Sequence, residues 1–237
     1  MITNHMENTN QQSHPTELEQ FDQEWLAAME QTPYVRLFLG LVGLTRLGER
    51  PAALERLAAI VDRPVDETAA LVRGATSARI EGELIQWDEP FPGDRTRRML
   101  YVGDRAVPMR SGCAPDLFGF AAVLDVPFRV EETCAATGAP IRVDFVPDGY
   151  ERMDPPEAVT VLLPLGRLRK ATFEEVVEQV DANFCDHQPF FASARAAESA
   201  LTARPGSRAF TVQEMFERPL FTYYRDKLRP LVHPESH

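Results

Sequence analysis

Three cysteines occur in 237 residues, and one of them stands three positions before an acidic residue in Gly112-Cys113-Ala114-Pro115-Asp116. A soft sulfur ligand with a proton-carrying carboxyl beside it is a possible reaction centre. The same residues also read as a buried cysteine ahead of an aspartate that caps the helix beginning at Leu117. Cys134 lies in Cys-Ala-Ala-Thr-Gly-Ala-Pro, and Cys185 in Phe-Cys-Asp-His-Gln-Pro-Phe-Phe-Ala-Ser. No two cysteines have the Cys-x-x-Cys spacing of a zinc ribbon or a thioredoxin-type redox centre. The glycine-rich phosphate-binding motifs, the paired-histidine zinc motif and the serine nucleophile elbow are absent as well. His187, two residues after Cys185, is a possible ligand or base. With Pro189 and the pair Phe190-Phe191 following, it reads better as a residue that fixes the local backbone.

The elements that must position these residues follow from hydrophobic spacing. Residues 1–20 are polar and nearly free of large apolar side chains, which predicts a mobile tail in which His5 and His14 are solvated. Leu18, Phe21, Trp25 and Met29 recur at spacings of three and four, the mark of a short amphipathic helix. A second helix runs from Pro33 with Tyr34, Leu37, Phe38, Leu41, Val42 and Leu44 on its apolar stripe, weakened by Gly40 and Gly43 and ended by Gly48. Pro51 is expected to start a third, and a fourth follows Pro64 with Val65, Ala69 and Val72 inward. Residues 79–87 predict a hairpin turning at Glu81-Gly82. Three helices and a β wing make a winged-helix pattern.

The Pro- and Gly-rich charged stretch 88–98 is the natural boundary. Beyond it strands are expected at Met99–Val102, Phe128–Glu132, Ile141–Val146 and Ala158–Leu163, several of them alternating as half-buried antiparallel strands do. Gly112 to Leu124 reads as a helix with Leu117, Phe120, Ala121 and Leu124 on one side. Helices are predicted at 172–182 and 194–203, a strand at 209–212, and a last helix at 212–228 that Pro219 interrupts. The fold class is therefore α+β. The organisation is a tail with a short amphipathic helix (1–30), a winged-helix-like helical domain (31–90), and a domain with a small, mainly antiparallel sheet and flanking helices (91–237).

A hydrophobic fraction of 44% and a charged fraction of 26% are ordinary for a globular protein, and no apolar run reaches the length that spans a bilayer. The N-terminus does not read as a secretory signal, so the cytoplasm is the expected compartment. There the three cysteines should be thiols. A net charge of −11 argues against a broad phosphate-binding surface. The fourth helix, which would face DNA in a winged-helix regulator, carries Asp66, Glu67 and a single basic residue, Arg73, so nucleic acid is not an expected partner.

Taken together, Cys134-Ala-Ala-Thr-Gly-Ala-Pro140, Asn183-Phe-Cys-Asp-His-Gln-Pro-Phe-Phe-Ala-Ser193 and the upstream Cys113-x-x-Asp116 resemble the organomercurial (alkylmercury) lyases, from about residue 34 to about 228. The resemblance implies protonolysis of a carbon–mercury bond, giving a hydrocarbon and Hg(II). Cys113 and Cys185 would then capture mercury, Asp116 would also approach the metal and handle the proton, and Cys134 would be structural. No organic cofactor is implied. External thiols would remove Hg(II), to be passed on to a mercuric reductase. Hg(II) is very soft and thiolate is the softest side-chain ligand, so this division suits the chemistry. It also requires Asp116 to titrate higher than an exposed aspartate, as partial burial would achieve. A thiol-based metal-binding or metal-sensing protein on the same fold is the alternative. Two departures from the family pattern stand out. Gly112 occupies a position where an aromatic is expected, after an unusual Val107-Pro-Met-Arg-Ser111 approach, and the interval from Cys134 to Cys185 is long.

Overall fold

The computed structural model describes residues 16–31, 33–93, 98–164, 185 and 188–234. Residues 1–15 of the predicted tail, the predicted helix at 172–182 and His187 lie outside the described residues, and residues 17–20 of that tail belong instead to the first helix. Helix α1 (Glu17–Gln31) is followed by α2 (Pro33–Thr45), β1 (Ala52–Ala53), α3 (Leu54–Val61), α4 (Val65–Ala75), β2 (Arg79–Glu81) and β3 (Leu84–Gln86). The three short strands form one antiparallel sheet in the order β1-β3-β2.

Three local expectations are corrected in this region. Pro51 leads into strand β1, and α3 begins only at Leu54. The hairpin turns at Gly82-Glu83, one residue later than expected, with Gly82 at φ +65. Val65 does not face inward. It is the first residue of α4 and is 42% exposed, whereas Thr68, Ala69 and Val72 further along the helix are buried.

The larger sheet has five antiparallel strands in the order β5-β4-β6-β7-β8, from β4 (Arg98–Val102), β5 (Arg105–Met109), β6 (Phe128–Thr133), β7 (Pro140–Val146) and β8 (Gly149–Asp154). A three-stranded sheet sets β9 (Val159–Leu162) between β10 (Phe190–Phe191) and β11 (Arg208–Thr211). Helix α5 (Asp116–Val123) runs through the middle. Sequence spacing gave it one apolar side, but every residue from Leu117 to Val123 is buried, because other elements surround it. Two glycines make that possible. A Cβ on Gly119 would come within 2.9 Å of Leu39 of α2, and one on Gly43 of α2 within 2.9 Å of the Val123 carbonyl. Gly43 therefore lets two helices approach closely, at some cost in helix propensity.

The C-terminal part comprises α6 (Ala194–Ala203), α7 (Val212–Glu217), α8 (Pro219–Tyr223), a π-helical turn at Tyr224–Leu228 and α9 (Arg229–Val232). Pro219 breaks the run where its missing N–H requires a break, and Arg218 before it is extended at φ −71, ψ 145. Helix α1 lies against this part of the molecule. Phe21 packs near Phe210, Asp22 pairs with Arg218, and the Trp25 indole N–H donates to the Leu163 carbonyl at 3.1 Å. One continuous core joins all these layers, from Phe21 and Trp25 to Val232.

Candidate active site

Helix α5 starts at Asp116, and Pro115, not Asp116, occupies its N-cap position. The Asp116 carboxylate turns back, and its Oδ2 accepts the backbone N–H of Cys113 at 2.7 Å. That bond closes the Cys113–Asp116 loop and fixes the carboxyl beside the thiol. Gly112 completes the turn at φ +85, a left-handed conformation that L side chains resist. A Cβ there would also lie 2.5 Å from Met109 Cε and 2.9 Å from Asp116 Oδ2. With this loop geometry, an aromatic cannot be accommodated at 112.

Cys185 comes to this loop from the far side of the sequence. The sulfurs of Cys113 and Cys185 and a carboxylate oxygen of Asp116 all lie within 4.8 Å of one another. Taking the zinc–sulfur bond of about 2.3 Å as a scale, two sulfurs on one ion stand at most about 4.6 Å apart, close to the 4.8 Å that bounds this cluster. Both cysteines are buried and Asp116 is half-buried. The three cysteines form no disulfide. Burial pushes the Cys113 thiol well above its ordinary pKa, the hydrogen bond with Cys185 and the nearby Asp116 charge add to this, and Arg98 opposes it.

Cys134 stands apart from the cluster. Its sulfur accepts the Ala192 N–H at 3.4 Å, and its backbone bonds to Ala139 and Gly138 close the tight turn between β6 and β7. Burial raises its pKa, but the Thr137 side chain and the N–H groups of Ala192, Ala136 and Thr137 outweigh that and hold the thiol below its ordinary value. The sulfur thus joins the β6–β7 turn to the segment that leads from Cys185 through β10.

Sequence reasoning missed four residues around the site. Arg98 and Glu132 are cross-strand neighbours on β4 and β6, with side chains only 2% and 5% exposed, bonded at 2.9 and 3.3 Å. Arg98 also donates to the Gly112 carbonyl at 3.5 Å and lies 3.8 Å from Met109 Sδ. Burial works against its charge, but Glu132, Cys113 and Asp116 outweigh that and raise its pKa. A signal existed for it. Extending the alternation of Leu100 and Val102 back by one step puts Arg98 on the inward face of β4. Tyr224 begins the π-helical turn, and its pKa is raised well above 10 by burial and by the charges of Asp116 and Cys113. Tyr224 and Pro115 share a small hollow with Trp25, Phe118 and Leu162. The fourth, Gln188, is fully buried between the two cysteine segments.

Residues 104–221 match the family model described as alkylmercury lyase. The chain belongs to the alkylmercury lyase family. An alkylmercury lyase of Bacillus cereus is 24% identical over 192 residues, covering 76% of this chain and 78% of that protein. One of Streptomyces lividans is 27% identical over 184 residues, covering 72% and 75%. The crystal structure of the mercury-bound form of MerB2 shares the fold at a TM-score of 0.54 and 12% identity, over 90% of this chain and 98% of that one. Mixed helices and antiparallel sheets are thus common to this chain and a family member.

Proposed function

We infer that this chain is an organomercurial lyase, in which Cys113 and Cys185 take the mercury of R–Hg⁺ and Asp116 carries the proton to carbon. The observation that supports the roles is the convergence of two sulfurs and one carboxylate within 4.8 Å in a largely buried setting. The substrate arrives as R–Hg–SR′. The two cysteine thiols replace SR′, one thiol proton leaves as R′SH, and the other passes to the Asp116 carboxylate as general base. Two thiolates push electron density along the Hg–C bond. Asp116 then acts as general acid, the Hg–C electron pair takes its proton, and R–H departs. Hg(II) remains on two cysteines until external thiols remove it and return two protons. Burial supports the sequence of events. A high thiol pKa keeps Cys113 protonated until the metal arrives, and metal binding then releases that proton.

The test is hydrocarbon release from a phenyl- or methylmercury compound by purified protein with excess thiol. Near-complete loss is expected in Cys113→Ala, Cys185→Ala and Asp116→Ala. Stoichiometric Hg(II) binding with no hydrocarbon from the parent protein would favour a metal-binding protein instead, and full turnover by Cys185→Ala would remove the two-thiolate mechanism. The product fits hand-over to a thiol-bearing acceptor such as a mercuric reductase, and a cytoplasmic setting would keep the cysteines reduced.

The region 31–90 suits a winged-helix-like module, from its helix–strand–helix–helix–strand–strand order and the β1-β3-β2 sheet. Its helix α2 packs on α5, the helix into which the Cys113–Asp116 loop leads. With Asp66 and Glu67 in its first turn, α4 is poorly suited to phosphate.

A further inference from the structure

We propose that Gln188 is the positioning residue for the Cys113 sulfur, an inference that rests on the lyase reading above. Its side chain is fully buried, so its amide must find partners within the protein. Its Oε1 accepts the Leu163 N–H at 3.0 Å, and its Nε2 lies 3.7 Å from Cys113 Sγ. The orientation of the amide is decided by chemistry. A backbone N–H can only donate, so the oxygen faces Leu163 and the NH₂ group must face the sulfur. The backbone of Gln188 binds the same two segments. Its carbonyl accepts the Ala114 N–H at 2.9 Å, and its N–H donates to the Cys185 carbonyl at 3.2 Å.

One residue therefore touches the Cys113 loop twice, the Cys185 segment once and the end of β9 once. A cysteine side chain has one free rotation that decides where its sulfur points. Among the described contacts, the Nε2–H group of Gln188 is a directional donor on that sulfur from outside the metal cluster. It selects the rotamer in which Cys113 and Cys185 can share one mercury. Gln188 does not touch the reacting carbon, and its action is through Cys113.

Two variants separate aiming the sulfur from merely filling space. Gln188→Met keeps the shape and removes donor and acceptor. Gln188→Glu keeps an oxygen for the Leu163 N–H and removes the NH₂ group. In hydrocarbon-release assays kcat should fall about 10- to 100-fold in both, with KM changed less than about threefold. On titration with Hg(II) alone, the sulfur-to-mercury charge-transfer absorption should differ from the parent's in both, while Gln188→Glu keeps more of the parent's thermal midpoint than Gln188→Met. A folded Gln188→Met with kcat within about twofold of the parent and an unchanged absorption would overturn the proposal. Should Gln188→Met fail to fold, a Gln188→Glu protein with parental kcat and absorption overturns it equally. If the parent releases no hydrocarbon, the lyase reading fails. The charge-transfer comparison between parent and variants still tests the positioning of Cys113.

Discussion

Around Cys113 the opposing effects are unequal: burial, the bond to Cys185 and the Asp116 charge raise the thiol pKa, and Arg98 alone lowers it. Alkylation by a neutral reagent proceeds through the thiolate, so its rate at Cys113 should still be climbing at about pH 9.5, where an ordinary thiol of pKa about 8.5 has levelled off. Peptide mass spectrometry of pH-stepped alkylation checks this, and a plateau below that pH would contradict the burial argument. Arg98 and Glu132 give a second expectation at this scale. Removing one partner strands a buried charge, so Arg98→Met or Glu132→Gln should each cost about 3–5 kcal/mol in denaturant unfolding. Replacing both with apolar residues should cost less than either single change.

At the scale of elements, two turns hold the site, and each depends on one residue. Gly112→Ala brings a Cβ to 2.5 Å from Met109 and 2.9 Å from Asp116 at φ +85. Strain of about 1–3 kcal/mol is expected, together with lower hydrocarbon release, because the Asp116 carboxylate must shift along with the Met109 methyl group. A fully active Gly112→Ala would show that the loop tolerates another path. Cys134 works on a different turn. Losing the acceptor for Ala192 N–H should cost Cys134→Ala about 1–3 kcal/mol of stability while turnover per folded molecule is retained. Thermal unfolding alongside active-site titration separates the two effects.

The whole molecule responds to alkali through two buried acids. Cys113 and Tyr224 both titrate higher in the folded state than in the unfolded chain. Above the unfolded thiol value of about 8.5, the unfolded state loses its Cys113 proton first and so binds fewer protons than the native state. Stability is therefore complete below that pH and declines as pH rises toward the folded values, with Tyr224 adding its share above about pH 10. Thermal midpoints measured from pH 7 to 10.5 should fall, and Cys113→Ala should flatten the first part of the decline.

Much of this could be read without coordinates. Alternation along Met99–Val102, Phe128–Glu132 and Ile141–Val146 is local, and the strands follow it within a residue or two. The break at Pro219 and the helix at 194–203 depend on ring geometry and local spacing, and they too were legible. Three ordered motifs were enough to point to the family, since cysteine chemistry is tied to residue type. Tertiary structure alone decided the environment of those cysteines. Val65 faces solvent because burial depends on what lies opposite, which periodicity does not contain. The encirclement of α5, the inward Arg98 with its Glu132 partner, and the amide of Gln188 on Cys113 are contacts between segments tens of residues apart. Residue types and spacing along the chain carry the chemistry, whereas charge compensation and the aim of a sulfur arise from neighbours that only folding brings together.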